Sequence, residues 1–316
     1  MTLETVLFVN QFFYLTSHPL PIKGLKDQLE KTMKKRISIL FLLLLVFGLA
    51  FSFGSRQSKT LVPDPKIDEA SGICASRKHP GILYAQNDSG GEPAVFVIDK
   101  TGKTLGKFNL DGVKNRDWED IAISSGPDKN HHYIYVGEIG DNGARYSSIF
   151  IYRFKEPNFP KEEGFDLTVK DIDRIEIIYE DGARDAEALF IHPKTLNIYI
   201  ISKREEQVGL YEVSYPYSLT DKNTARKLTT LPLSWVTAAD ISFDAKKIIL
   251  KNYTSVYQWK LKKNQSIAEA MQGKMQHLSY EIEPQGEAIC FDHKNKGYFC
   301  LSERSEDKPL YLYHYK

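Results

Sequence analysis

Five times in 316 residues a short acidic or small stretch runs directly into a run of β-forming residues. The stretches are Glu69-Ala70-Ser71-Gly72-Ile73, Asp117-Trp118-Glu119-Asp120-Ile121, Asp185-Ala186-Glu187-Ala188-Leu189, Ala238-Ala239-Asp240-Ile241 and Gly286-Glu287-Ala288-Ile289. Their closing residues, Ile73, Ile121, Leu189, Ile241 and Ile289, are 48, 68, 52 and 48 positions apart. A period of this length built from short strands marks a radial repeat around a central axis, a β-propeller. In such a fold, carboxylates scattered over more than 160 positions would meet in one place.

The first copy reads as four strands, Ser71–Ser76, Ile82–Gln86, Ala94–Asp99 and Thr104–Leu110, separated by Gly- and Pro-containing turns. The next three copies repeat this, with a short helix predicted at Ser266–Gln272, and the fifth stops after three strands. The spare extended segment Thr60–Ile67 can pair into the last unit and remove the free edges. The expected fold is all-β: a propeller of five blades, each of four antiparallel strands, closed by the N-terminal strand. Six blades are the alternative, with a reduced blade around Phe159–Val169. The segment Phe159–Val169 reads instead as a polar insertion loop, since it contains Pro160-Lys161-Glu162-Glu163-Gly164.

Lys34-Lys35-Arg36 precedes an apolar run from Ile37 to Phe51, followed by small residues. This is the pattern of a secretory signal, with an uncleaved membrane anchor as the alternative. The chain therefore divides into residues 1–32, an extended or non-native N-terminus; 33–54, signal or anchor; and 59–316, the propeller. The expected location is outside the cytoplasm: periplasmic, secreted or membrane-anchored. Residues 1–56 hold seven Lys/Arg and three acids, so the remainder carries 42 − 7 = 35 basic and 41 − 3 = 38 acidic residues, near −3. No basic field calls for nucleic acid, and a monomer is expected. Cys290 and Cys300 flank a turn; centred on Asn295, it would set them opposite each other, where a disulfide can form. Small buried side chains in strands are the other reading of the cysteines.

In an antiparallel hairpin the start of the first strand lies beside the end of the second. The acidic entry motifs thus share a face with polar exit clusters that contain Asn87, Asp88, Glu138, Asp141, Asn142, Lys203, Arg204, Lys251, Asn252 and Arg304. Glu119, Glu187 and Glu287 stand two before the closing residue; Ser71 and Ala239 hold that place in the other copies, and Asp120 and Asp240 follow one later. Three glutamates at one axis must take up protons, pair with cations or bind a metal. Calcium, which takes six to eight hard oxygen ligands, suits Glu119, Glu187 and Glu287 with help from Asn87, Asp88, Asp141, Asn142 and Asn252. Zinc lacks its usual ligands here. Alternatively, the acids cap strand ends or pair with nearby arginines and lysines. His79, His131, His132, His192 and His293 fall in turns that project from the opposite face, leaving a serine triad without a base. Trp118 and Trp235 precede first strands, where blade-to-blade packing or a ligand rim would use them.

Asn87-Asp88-Ser89-Gly90, Asp117-Trp118-Glu119-Asp120-Ile121, Tyr135-Val136-Gly137-Glu138-Ile139-Gly140-Asp141-Asn142 and the Glu69 and Asp185 motifs resemble a family of bacterial exported β-propellers, distantly similar to gluconolactonase-type and esterase-like phytase propellers. The resemblance covers about Leu61 to the end. It implies an axial divalent ion, often calcium, held by Glu, Asn and Asp at the channel mouth. Glu119, Glu187 and Glu287 match the axial ligands, with Asn142 and Asn252 as amide ligands; no catalytic base maps across.

Two functions follow as expectations. One is a calcium-dependent hydrolase of a small ester, lactone or phosphoester, with Asp240 or Glu138 as general base and Lys203, Arg204, Lys251 and Arg304 attracting an anionic group. The other is a non-catalytic propeller that holds an envelope protein or glycan, its metal structural.

Overall fold

In a computed structural model of the chain, residues 57–160, 162–305 and 308–316 are described. The predicted export segment and residues 1–32 lie outside them. The described chain is all-β apart from one short helix.

Five meanders follow one another. The first is β1-independent and comprises β2 (Ala70–Ala75), β3 (Ile82–Asn87), β4 (Ala94–Asp99) and β5 (Thr104–Leu110); β1 itself is Gln57–Leu61. The second comprises β6 (Trp118–Ser125), β7 (His132–Glu138), β8 (Ile149–Lys155) and β10 (Asp173–Tyr179), with β9 (Phe165–Val169) lying between the last two in sequence. The third comprises β11 (Ala186–Ile191), β12 (Ile198–Ser202), β13 (Val208–Val213) and β14 (Asn223–Leu231). The fourth comprises β15 (Val236–Ile241), β16 (Lys247–Asn252), β17 (Val256–Lys260) and β18 (Gln276–Leu278). Helix α1 (Ile267–Met271) precedes β18, and its N-cap Ser266 forms a capping box with Glu269. The fifth comprises β19 (Ala288–Phe291), β20 (Tyr298–Leu301) and β21 (Tyr311–Tyr315).

The second and third meanders join into one eight-stranded sheet because β10 pairs in parallel with β14. First strands neighbour one another in order: β2 beside β6, β6 beside β11, β11 beside β15, β15 beside β19, and β19 beside β2. They are buried on both faces, which explains their continuous apolar and small composition. Five apolar clusters separate the meanders. Tyr84, Phe108 and Trp118 lie between first and second; Tyr135, Leu189 and Tyr211 between second and third; Phe190, Leu250 and Trp259 between third and fourth. Ile249, Ile289 and Tyr313 lie between fourth and fifth, and Ile73, Phe96, Cys290 and Leu312 between fifth and first. Each large side chain buried this way contributes about 1.5–3 kcal/mol.

Three sequence expectations need correction. The strand that completes the fifth meander is Gln57–Leu61, not Thr60–Ile67: it runs antiparallel to β21 from Gln57↔Tyr315 to Leu61↔Tyr311. The stretch expected as a loop contains β9, which adds in parallel to β5 as the outermost strand of the first sheet, where Phe165 stacks on Phe159. Cys290 pairs with Phe299, and Cys300 with Ile289. That one-residue displacement sends the two cysteines to opposite faces of the sheet, and they are free and buried.

Candidate functional site

Four of the five first strands carry a β-bulge at the same place. Trp118 pairs with Glu138 and Asp120 with Gly137, so Glu119 is the extra, unpaired residue. The same shift leaves Ser71, Glu187 and Thr237 unpaired in β2, β11 and β15. Glu287 immediately precedes β19, whose Ala288 pairs with Leu301. A bulge bends its strand and re-aims the extra side chain. This local device brings Ser71, Glu119, Glu187, Thr237 and Glu287 into equivalent places.

The fourth repeat is therefore displaced by two from the sequence reading: Thr237, not Ala239, corresponds to the glutamates. A two-residue shift preserves which side chains share a face, so hydrophobic alternation could not detect it.

Carboxylate oxygens of Glu119, Asp185 and Glu187 lie within 4.8 Å of one another, and all three residues are buried. Asp88, Asp117 and Glu119 form a second such group. Ser71 Oγ donates to the Glu119 carbonyl at 2.6 Å and to its carboxylate at 3.3 Å. Glu187 Oε2 is buried without a hydrogen-bond partner. The backbone of Gly140 closes one side; a Cβ there would collide with Glu119 Oε1 and lie 2.7 Å from Asp117 Oδ2. The ammonium of Lys203 pairs with Glu187 Oε1 and lies 3.8 Å from Glu287 Oε1. Tyr253 OH donates to that Glu287 oxygen at 2.7 Å.

This concentration of negative charge in a dry place favours protonated carboxyls. Burial, then Glu187, Asp88, Asp117 and Glu287, push Glu119 well above the carboxylate range. Burial raises Glu187 as well, opposed by Lys203. Asp88 and Asp117 are each pushed up to about 6, chiefly by burial. Glu303 is pushed up to about 8, by burial and then by Glu287 within hydrogen-bond reach. Burial pulls Lys203 down, but Glu187 and its other polar partners outweigh it and hold the ammonium above its ordinary value.

The other expected site residues are held elsewhere. Asp240 is buried, and its two oxygens accept the amides of Ile241 and Phe291 at 2.8 Å each. Asp120 accepts amides from Ile121, Leu189 and Ala239 and lies inside the fold rather than on its face. Glu138 takes Tyr152 OH at 3.2 Å and lies 3.4 Å from Arg116 Nε. Asp141 accepts the amides of Arg145 and Tyr146, bracing a turn. Asn252 Oδ1 accepts the amides of Thr254 and Ser255, and Asn142 Oδ1 accepts from Arg204, so both amides are engaged outside the carboxylate groups. Asn87 donates to Lys66 O and Asp68 at 2.8 Å. Arg204 binds Asp185 at 2.5 Å. Lys251 is fully buried against Glu283 and Tyr280. Arg304 donates to the carbonyls of Val62, Asp64 and Ile67, tying the N-terminal segment to the last meander.

Asp117 and Asp185 belong to the carboxylate groups although the sequence reading left them outside its ligand set. The signal was present: each stands two residues before a bulge glutamate. Tyr253 and Glu303 stand inside the exit clusters Lys251-Asn252-Tyr253-Thr254 and Ser302-Glu303-Arg304, beside the residues expected at the site, and exit turns of unequal sequence gave no register by which to single them out.

No family model and no curated protein matches this sequence. Among solved structures it is similar to hydrazine synthase from Kuenenia stuttgartiensis, at 14% identity over 75% of this chain and 77% of that one, with a TM-score of 0.38. Nothing about this chain's chemistry follows from a likeness of that degree.

Proposed function

We propose that this chain is an exported five-bladed β-propeller, akin to the gluconolactonase-type and esterase-like phytase propellers, that hydrolyses a small ester, lactone or phosphoester at a calcium site on its axis. Five apolar interfaces in cyclic order and five neighbouring first strands support the five-bladed reading. The basic–apolar sequence from Lys34 to Phe51 supports export.

The observation that carries the site is the buried group Glu119, Asp185 and Glu187, with the Glu187 Oε2 orphan and the close approach of the Glu119 and Asp117 carboxylates that Gly140 permits. Its donors are all hard oxygens, which fit calcium and not zinc. Glu119 and Glu187, with Asp88 and Asp117, would hold the ion, while Asp185 beside them is engaged by the Asp141 amide and Arg204. When bound, such an ion supplies a Lewis acid that polarises a carbonyl or phosphoryl oxygen. Lys203 and Tyr253 fix Glu287, and Glu303 beside it is pushed up to about 8, so Glu303 can hold a proton at neutral pH. Asp240 and Glu138 are less suited to that task, their oxygens being occupied. The test is turnover of lactones, aryl esters and phosphoesters by wild type and Glu119→Gln, each with calcium or chelator. Turnover lost in the variant and in chelator supports the reading; turnover indifferent to both overturns it.

One observation favours a non-catalytic binding propeller for an envelope protein or glycan: Lys203 already provides a cation to Glu187 and Glu287. On that reading calcium raises the melting temperature while no substrate turns over.

A further inference from the structure

The fourth repeat interrupts the acidic pattern. Its bulge residue is Thr237, and two residues earlier, where the second and third repeats carry Asp117 and Asp185, it carries Trp235. Trp235 adopts φ 56°, in the left-handed region that a bulky side chain rarely enters. Burial does not compensate this strain, since the residue is 49% exposed, whereas Trp118 and Trp259 are fully enclosed. Gln285, at the same place of the fifth repeat, adopts φ 48°, so the left-handed turn belongs to the repeat; what sets Trp235 apart is its exposed aromatic face, a surface that a ligand ring can cover.

The indole is fixed beside the carboxylates. Its backbone N–H donates to Lys203 O at 2.7 Å, and the Arg204 guanidinium lies 5.4 Å from its ring centre. Arg204 in turn binds Asp185 and Asn142. Three acceptors near the indole are already bonded: Asp185 Oδ1 takes the Asp141 amide at 2.9 Å, Asp185 Oδ2 takes Arg204, and Asn252 Oδ1 takes the amides of its own turn; the unpartnered Glu187 Oε2 is left for the polar end of a ligand. A group arriving here meets a flat, electron-rich ring backed by a guanidinium, with those neighbouring hydrogen-bonding groups engaged. That environment suits an aromatic ring, which stacks offset on indole, better than a polyol, which needs polar partners.

We propose that Trp235 is a stacking subsite for a planar aromatic group of a ligand whose polar end lies at the Glu119–Asp185–Glu187 carboxylates. The inference rests on that mouth being a ligand site.

Because the other two tryptophans are buried, iodide quenching of intrinsic fluorescence reports on Trp235 alone. Benzyl alcohol is the probe, with cyclohexylmethanol and methyl glucoside as saturated and polyol controls, each with calcium and with chelator. Benzyl alcohol is expected to shield the indole from iodide and the controls are not. Saturation transfer from the protein to the benzyl ring is expected in wild type and Trp235→Phe and lost in Trp235→Leu. The aromatic preference should be about 2- to 12-fold in half-saturating concentration. Equal shielding by the controls, no shielding up to the solubility limit of benzyl alcohol, or unchanged transfer in a folded Trp235→Leu overturns the subsite. Shielding without any calcium effect keeps the subsite and removes the ion; a calcium effect without shielding does the reverse.

Discussion

The carboxylate of Asp120 on β6 accepts the backbone N–H of Leu189 on β11 at 2.8 Å, so a side chain takes the part of a hydrogen bond between neighbouring first strands. The same oxygen lies 3.4 Å from the Ala239 amide on β15, and the other accepts the Ile121 amide. Asp120→Ala would leave these buried donors unpaired, at about 1–3 kcal/mol for each donor orphaned. For the three donors together a loss of about 3–9 kcal/mol is expected in urea unfolding, with Asp120→Asn intermediate. A change below about 0.5 kcal/mol, the range of ordinary surface substitutions, would show that Asp120 does not tie these strands together.

The backbone of Gly140 packs directly against the Asp117 and Glu119 carboxylates. Gly140→Ala is expected to keep the fold and abolish the calcium-induced rise in melting temperature, because the new methyl collides with the Glu119 carboxylate. A variant with wild-type response to calcium would place the ion elsewhere.

Lys203→Met removes the ammonium from Glu187 and Glu287, whose side chains are 4% and 5% exposed. Breaking one partner out of a buried ion pair costs about 3–5 kcal/mol. That loss is expected at pH 8 and should shrink at pH 5, where Glu187 can take a proton instead. Urea midpoints at the two pH values decide it; an equal loss at both would contradict the electrostatic origin.

The carboxyls at the mouth also set a pH profile. Asp88 and Asp117 rise from 3.8 to about 6, and Glu303 from 4.5 to about 8. Raised values mean that the folded chain holds protons the unfolded chain releases. Their contribution is complete below about pH 4 and declines as pH rises through 6 to 8. Asp128, lowered to about 2, acts below that window. His132 and His192, lowered by burial, act in the opposite sense near their ordinary value. In chelator, Glu303→Gln should therefore flatten the wild-type fall in melting temperature between pH 6 and 8. Calcium should restore more stability at pH 8 than at pH 5, since protons compete with the ion. An identical slope in variant and wild type would show that Glu303 does not carry the upper part of the window.

Much of the strand plan was visible in the chain. Alternation and turn residues marked most strands of the five meanders, and a short helix was expected at Ser266–Gln272, where the described residues hold one at Ile267–Met271. The positions of Glu119, Glu187 and Glu287 relative to their strands were visible too. Register was harder. The two-residue displacement that makes Thr237 the equivalent of the glutamates leaves the same residues facing inward. The one-residue displacement that separates Cys290 from Cys300 depends on how the turn closes.

By itself, then, the sequence determined a repeating all-β chain and which carboxylates recur at one point of the repeat, because strand periodicity is a local property of consecutive residues. Only the tertiary structure decided which polar groups remain free. Asp240, Asn142 and Asn252 have the right chemistry for a site, but each is taken up by a neighbouring amide or guanidinium. Tyr253 is drawn to Glu287 across 34 positions of sequence. Hydrogen-bond partners are assigned by three-dimensional proximity, and no linear pattern encodes which acceptor a distant donor will reach first.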